Sequence, residues 1–95
     1  MTSAQRKKLK SVAQRLEATV RIGKQGLSPS LLESVDQALA ARELVKVKFT
    51  EFKEEKKALA PLLAEKTSSE LVTLVGNVAV LFRQNPDPEK RAIPV

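Results

Sequence analysis

Residues Leu44–Phe49 read "LVKVKF". Val45, Val47 and Phe49 alternate with Lys46 and Lys48, which predicts a strand with one apolar and one cationic face. On its N-terminal side, residues 28–42 read "SPSLLESVDQALAAR". The helix there starts with Ser28 as N-cap and Pro29 as its first residue, or with Ser30 as cap and Glu33 closing a capping box. Leu31 or Leu32, Val35, Ala38 and Leu39 form its buried stripe, which ends around Arg42. On the C-terminal side, "KEEKKALAPLLAEKT" (53–67) predicts a further helix with Leu59, Leu62 and Leu63 inward. Pro61 should kink or restart it.

Further outward, residues 3–16 carry Leu9, Val12, Ala13 and Leu16 at the spacing of one buried helical stripe. "TVRIG" (19–23) alternates as a short strand, with Val20 and Ile22 on one side and Arg21 on the other. "ELVTLVGNVAVLFR" (70–83) reads as a hairpin turned by Gly76 and Asn77. The fold class is therefore α/β: a single domain in the order α-β-α-β-α-β-β. Strands separated by helices run parallel and the last pair antiparallel, which gives a four-stranded mixed sheet. The expectation is that the helices pack on one face, leaving Lys46 and Lys48 on the other. Residues 1–84 form the domain, and the proline-rich 85–95 are expected to be a flexible C-terminal tail.

The 95 residues include no cysteine, histidine, tryptophan or tyrosine. Without cysteine there are no disulfides or thiolate metal sites, which fits a reducing compartment such as the cytoplasm. No apolar run approaches the roughly 18 residues of a membrane span, and no apolar stretch follows the basic N-terminus. Neutral-pH catalysis usually relies on histidine, an activated thiol, a tuned carboxylate or a metal. Carboxylates such as Glu54 and Glu55 read as a solvated helix face. The reading is a soluble non-enzyme with no cofactor, no metal and no membrane partner.

The net charge is +6 and unevenly placed. Up to Lys24 the basic residues are Arg6, Lys7, Lys8, Lys10, Arg15, Arg21 and Lys24, and Glu17 is the only acid. The whole excess lies there; the remainder of the chain sums to zero. A cationic region on an otherwise neutral domain suits a polyanion such as nucleic acid. Within it, "VRIGKQGLS" (20–28) brackets Lys24 and Gln25 with Gly23 and Gly26. A G-x-x-G arises by chance roughly once in two or three chains of this length, so its placement matters more than its pattern. It follows a strand and precedes a helix N-terminus, whose unpaired N–H groups attract anions. A similar loop clamps nucleotide backbone in KH domains.

"VRIGKQGLSPSLLESVDQAL", "ELVKVKF" and "GNVAVLFR" resemble the CRM domain (chloroplast RNA splicing and ribosome maturation domain), and especially its free-standing bacterial form, the YhbY-like proteins. The resemblance runs from Ser3 to Arg83. It implies a fold similar to the C-terminal domain of bacterial translation initiation factor three. It also implies RNA binding, with precursor large-subunit ribosomal RNA as the partner. By position, Gly23, Lys24, Gln25 and Gly26 become the RNA-contacting loop, and Arg83 the basic residue that ends the last strand. The family commonly has tyrosine before that arginine; this chain has Phe82.

The candidate RNA contacts are thus Arg6, Lys7, Lys8, Lys10, Arg15, Arg21, the 23–26 loop, Lys46, Lys48 and Arg83, in a protein acting as a monomer. Lys46 and Lys48 could equally guard a strand edge against aggregation, and Arg83 could pair with a carboxylate. Exposed aromatics can stack unpaired bases; Phe49 and Phe82 read as core instead and Phe52 as either, so recognition by shape and backbone is expected. Two other readings are a DNA-binding architectural protein and a protein-interaction module on the ribosome.

Overall fold

The computed structural model describes residues 1–94. The elements are α1 (Ser3–Ala13), β1 (Val20–Ile22), α2 (Pro29–Arg42), β2 (Leu44–Phe49), α3 (Lys56–Lys66), β3 (Glu70–Val75) and β4 (Val78–Phe82). The sheet order is β1-β2-β4-β3, with β1 parallel to β2 and the other pairs antiparallel. Element order and sheet type are those the sequence predicts. Ser28 is the cap of α2, its side chain accepting from the Leu31 N–H at 3.1 Å, with Pro29 at the first helical position. α3 continues through Pro61 rather than restarting there. At the hairpin turn Gly76 takes a φ of +57°, which a residue without Cβ adopts freely.

The helices do not share one face, and this corrects the sequence expectation. Ile22, Val45, Val47, Phe49, Ala79 and Leu81 meet α2 and α3 in one core. Leu44, Val72, Val80 and Phe82 meet Leu9 and Ala13 of α1 in a second core. The reason lies in the strands. Alternate residues point to opposite faces, and in β4 both sets are apolar, Ala79 and Leu81 on one side and Val78, Val80 and Phe82 on the other, so both faces must be covered. The strand pattern of β2 alone hides this, because Lys46 and Lys48 interrupt its second face.

α1 is fixed by more than apolar contact. Thr2 and Gln5 form a reciprocal capping box. The Arg6 guanidinium donates to the carbonyls of Leu71 and Val72. The β3–β4 register shifts at that point, between Leu71 and Thr73. A bulge takes carbonyls out of the ladder, and here Arg6 satisfies them. Lys46, half-buried, donates to the Leu16 carbonyl just beyond α1 at 3.0 Å.

The described part of the segment expected to be a flexible tail makes contacts with the body of the domain; Val95 lies outside the described residues. Ile93 is buried in the α1 core. Glu43, at the corner between α2 and β2, is 2% exposed. Its carboxylate accepts from the N–H of Asn85 (2.6 Å), Ala92 (2.7 Å) and Ile93 (3.2 Å). Its φ is +64°, a region that suits glycine and costs other residues about 1–3 kcal/mol. A glycine would relieve the backbone but could not hold the tail. Burial alone would raise the Glu43 carboxyl. The N–H groups of Asn85, Ala92 and Ile93, with the Arg91 guanidinium, outweigh it and hold the carboxyl below its ordinary 4.5.

Because the folded value is depressed, the stabilisation is complete above about pH 4.5 and is lost as pH falls through the folded value. Glu43→Ala is expected to lower stability by about 1–3 kcal/mol at neutral pH and to remove that acid-side dependence. Urea denaturation at neutral and acid pH measures both. Amide exchange at Ala92 and Ile93 should accelerate in the variant and, on acidification, in the wild type.

Candidate nucleic-acid interface

The glycine turn is built on the end of β1. The Gly26 N–H donates to the Gly23 carbonyl at 3.0 Å, closing a turn that leaves Lys24 and Gln25 exposed at its apex. The two glycines are not equivalent. Gly26 has a φ of +62°, and a Cβ there would lie 3.4 Å from the Phe52 ring. Gly23 has no such φ, and a Cβ there would meet nothing within 4 Å. Gly26 is thus required by the turn, whereas Gly23 leaves a bare backbone facing outward.

The turn is held from beneath by the chain that follows β2. The Ile22 carbonyl, one residue before Gly23, accepts from the Thr50 N–H (3.1 Å), the Glu51 N–H (3.2 Å) and the Thr50 hydroxyl (2.8 Å). This places Phe52 against Gly26, at a φ of +56° and immediately before a single 3-10 turn, Lys53–Glu55. Phe52 is one of the few large apolar side chains left partly exposed, at 39%.

Along the outer edge of β1 lies an open hollow of about 380 Å³, lined by Arg21, Lys24, Gly23, Gly26, Ser28 and Ser30 among others, with no carboxylate in its wall. It therefore joins two cations, the backbone of the turn and the first turn of α2, where the helix dipole is positive. Thr19 and Ser34 also line it; neither is among the candidate contacts read from the sequence, and Ser30 is read there only as an alternative helix cap. Ser30 and Ser34 are one helical turn apart on α2, and that spacing was the available signal.

The other candidate cations divide into two groups. Lys7, Lys8, Lys10 and Arg15 are exposed. Lys48 is also exposed and pairs in register with Arg21, so the two project from the same face, the one that carries α1. α1 leaves part of that face open. A groove of about 280 Å³ beside its C-terminal end is rimmed by Lys10 and Lys46 over Val75, Val78 and Val80. Arg21 and Lys48 thus project from the face that α1 covers, and Arg21 also lines the hollow at the turn. Arg6 and Lys46, by contrast, are engaged by backbone carbonyls. Arg83 lies at the opposite end of the sheet. It donates to Asp36 Oδ1 (2.6 Å), the Thr67 carbonyl (2.8 Å) and the Asp36 carbonyl (3.0 Å). Of the two sequence alternatives for Arg83, the ion pair is present. None of the described helices is long and apolar enough to cross a membrane.

Known proteins resemble this chain over most of its length. The CRS1 / YhbY (CRM) domain family model matches residues 1–83. A Pseudomonas aeruginosa protein named as a probable RNA-binding protein is 32% identical, the match covering 95% of this chain and 88% of that one. A Bacillus subtilis protein, YqeI, similarly named, is 30% identical over 99% of both. The solution structure of a Staphylococcus aureus hypothetical protein, described as a candidate RNA-binding protein, superposes with a TM-score of 0.80 at 33% identity over 99% of each chain.

The unlike glycines give a direct test of the turn. Gly26→Ala is expected to destabilise the fold by about 1–2 kcal/mol through its left-handed backbone, while Gly23→Ala should stay within about 0.5 kcal/mol of wild type. Parallel urea denaturation of the two variants separates these outcomes.

Proposed function

Since the chain belongs to the CRS1/YhbY (CRM) domain family, we propose that it binds structured RNA through the 23–26 turn and the cationic side that runs from it to α1. The observation that carries this reading is uncompensated charge. Among the described residues the one ion pair is Arg83–Asp36. Lys7, Lys8, Lys10, Arg15, Arg21, Lys24 and Lys48 therefore have no carboxylate within the 4.0 Å of an ion pair, and all are exposed. Arg21 and Lys24 take phosphates at the β1 hollow, and the bare backbone of Gly23 lets a phosphodiester come close. Lys48 and the outer side of α1 extend the contact along the RNA. Arg6, Lys46 and Arg83 are left out, because their charged groups are already bonded within the fold.

Most of these contacts are point charges on mobile stems, which read a backbone rather than a base sequence. The partner that suits them is folded RNA recognised by its phosphate spacing. Precursor large-subunit ribosomal RNA in the cytoplasm, bound by a monomer, is the specific partner proposed, on the strength of the family's association with ribosome maturation.

With about four to six phosphates neutralised, the logarithm of affinity should fall against the logarithm of salt with a slope of about −3 to −5. The Lys8→Glu, Lys24→Glu double variant should reduce that slope by about two and weaken binding at least tenfold. Fluorescence anisotropy of a labelled ribosomal RNA hairpin over a salt series measures both. A flat salt response, or equal competition by duplex DNA at fixed salt, would count against structured RNA as the ligand. Unchanged ribosome association by the double variant would favour docking on protein instead.

A further inference from the structure

We propose that Phe52 is a stacking platform for one unpaired nucleobase, placed beside the phosphate-binding turn; the inference rests on the RNA-binding reading above. Phe49 and Phe82 are buried, so Phe52 is the one exposed aromatic ring in the chain. Its position is determined rather than incidental. The three hydrogen bonds to the Ile22 carbonyl fix the preceding residues, and the ring lies against Gly26, 3.4 Å from where a Cβ would stand.

Packing alone does not account for a phenylalanine there. The residue has a φ of +56° and supplies no side-chain cap to the 3-10 turn it precedes. Asparagine or glycine would hold the same backbone with less strain, and asparagine could also cap. The ring is nevertheless left 39% exposed rather than sealed. An aromatic residue at a strained, exposed position beside a phosphate-type turn points to a ligand with a flat apolar face.

The surroundings select which part of a nucleotide would sit there. Glu51, Glu54 and Glu55 share with Lys53 the hollow around the ring, a space of about 320 Å³ whose lining charges sum to −2 (one cation, three carboxylates). Three carboxylates against the one Lys53 ammonium leave the hollow net negative, which disfavours phosphate, whereas a neutral base can stack. Phosphate therefore belongs at Lys24 and Arg21, and the base of an adjoining unpaired nucleotide reaches across Gly26 to Phe52. Only an RNA with an extruded nucleotide meets both requirements, since a base held inside a duplex exposes no face.

Two hairpins of one sequence, one fully paired and one with a single bulged nucleotide, provide the test. Wild type should bind the bulged form about tenfold more tightly. Phe52→Ala should remove that preference and leave affinity for the paired form within about twofold. Phe52→Asn, which suits the left-handed backbone and lacks a ring, should do the same while keeping the wild-type denaturation midpoint, which excludes misfolding as the cause. The chain has no tryptophan, so Phe52→Trp supplies a single reporter whose emission the bulged RNA should quench and the paired RNA should not. Bulged RNA bound with tryptophan emission unchanged, or a preference that survives in Phe52→Asn, would overturn the platform and leave RNA binding intact. Failure of wild type to bind either hairpin would overturn both readings.

Discussion

The structure depends on the two inner strands, β2 and β4, together carrying apolar residues to both faces of the sheet. Val45, Val47 and Phe49 fill the core beneath α2 and α3, while Leu44 enters the core beneath α1. β4, flanked by β2 and β3, sends Ala79 and Leu81 into the first core and Val80 and Phe82 into the second, so neither face of the sheet can be left to water. α1 is therefore drawn to the face that α2 and α3 leave bare. That placement carries the basic helix to the side from which Arg21 and Lys48 project. Had all three helices shared one face, the cations of α1 would have been separated from that row by the thickness of the sheet.

Two polar groups then fix what the cores do not reach. The Ile22 carbonyl ties the chain after β2 to the end of β1, and the Glu43 carboxylate ties the C-terminal segment to the corner before β2. Each lies beside a residue at positive φ, Phe52 and Glu43 respectively. Strain of this kind persists where surrounding bonds over-determine the backbone. At Glu43 the side chain explains it, because only an acceptor can gather three N–H donors. At Phe52 no contact within the chain gives the ring an equivalent role.

The cations show how one composition serves two purposes. Arg6, Lys46 and Arg83 have their charged groups within reach of carbonyls or a carboxylate. The other candidate cations, Lys7, Lys8, Lys10, Arg15, Arg21, Lys24 and Lys48, are exposed and unpaired among the described residues. Sequence spacing does not separate these groups. Arg6 and Lys7 are neighbours in one basic run, but a helix turns them about 100° apart. Arg6 reaches the bulged edge of β3, and Lys7 faces water.

By itself the sequence determined the element order, the mixed sheet, a serine cap on α2 at Ser28 or Ser30, the hairpin turn and the segregation of charge, because each depends on neighbours within a few residues. Periodicity, caps and turn chemistry are local signals, and local signals are legible in a chain read once. Only the tertiary structure decided which face α1 covers, which cations remain free, that Gly26 and Gly23 differ, and that the tail returns to Glu43. Those outcomes join residues far apart in the chain, such as Glu43 and Ile93 or Arg6 and Val72. They arise because buried donors, acceptors and apolar faces must all find partners at once, and no window of sequence contains the partners.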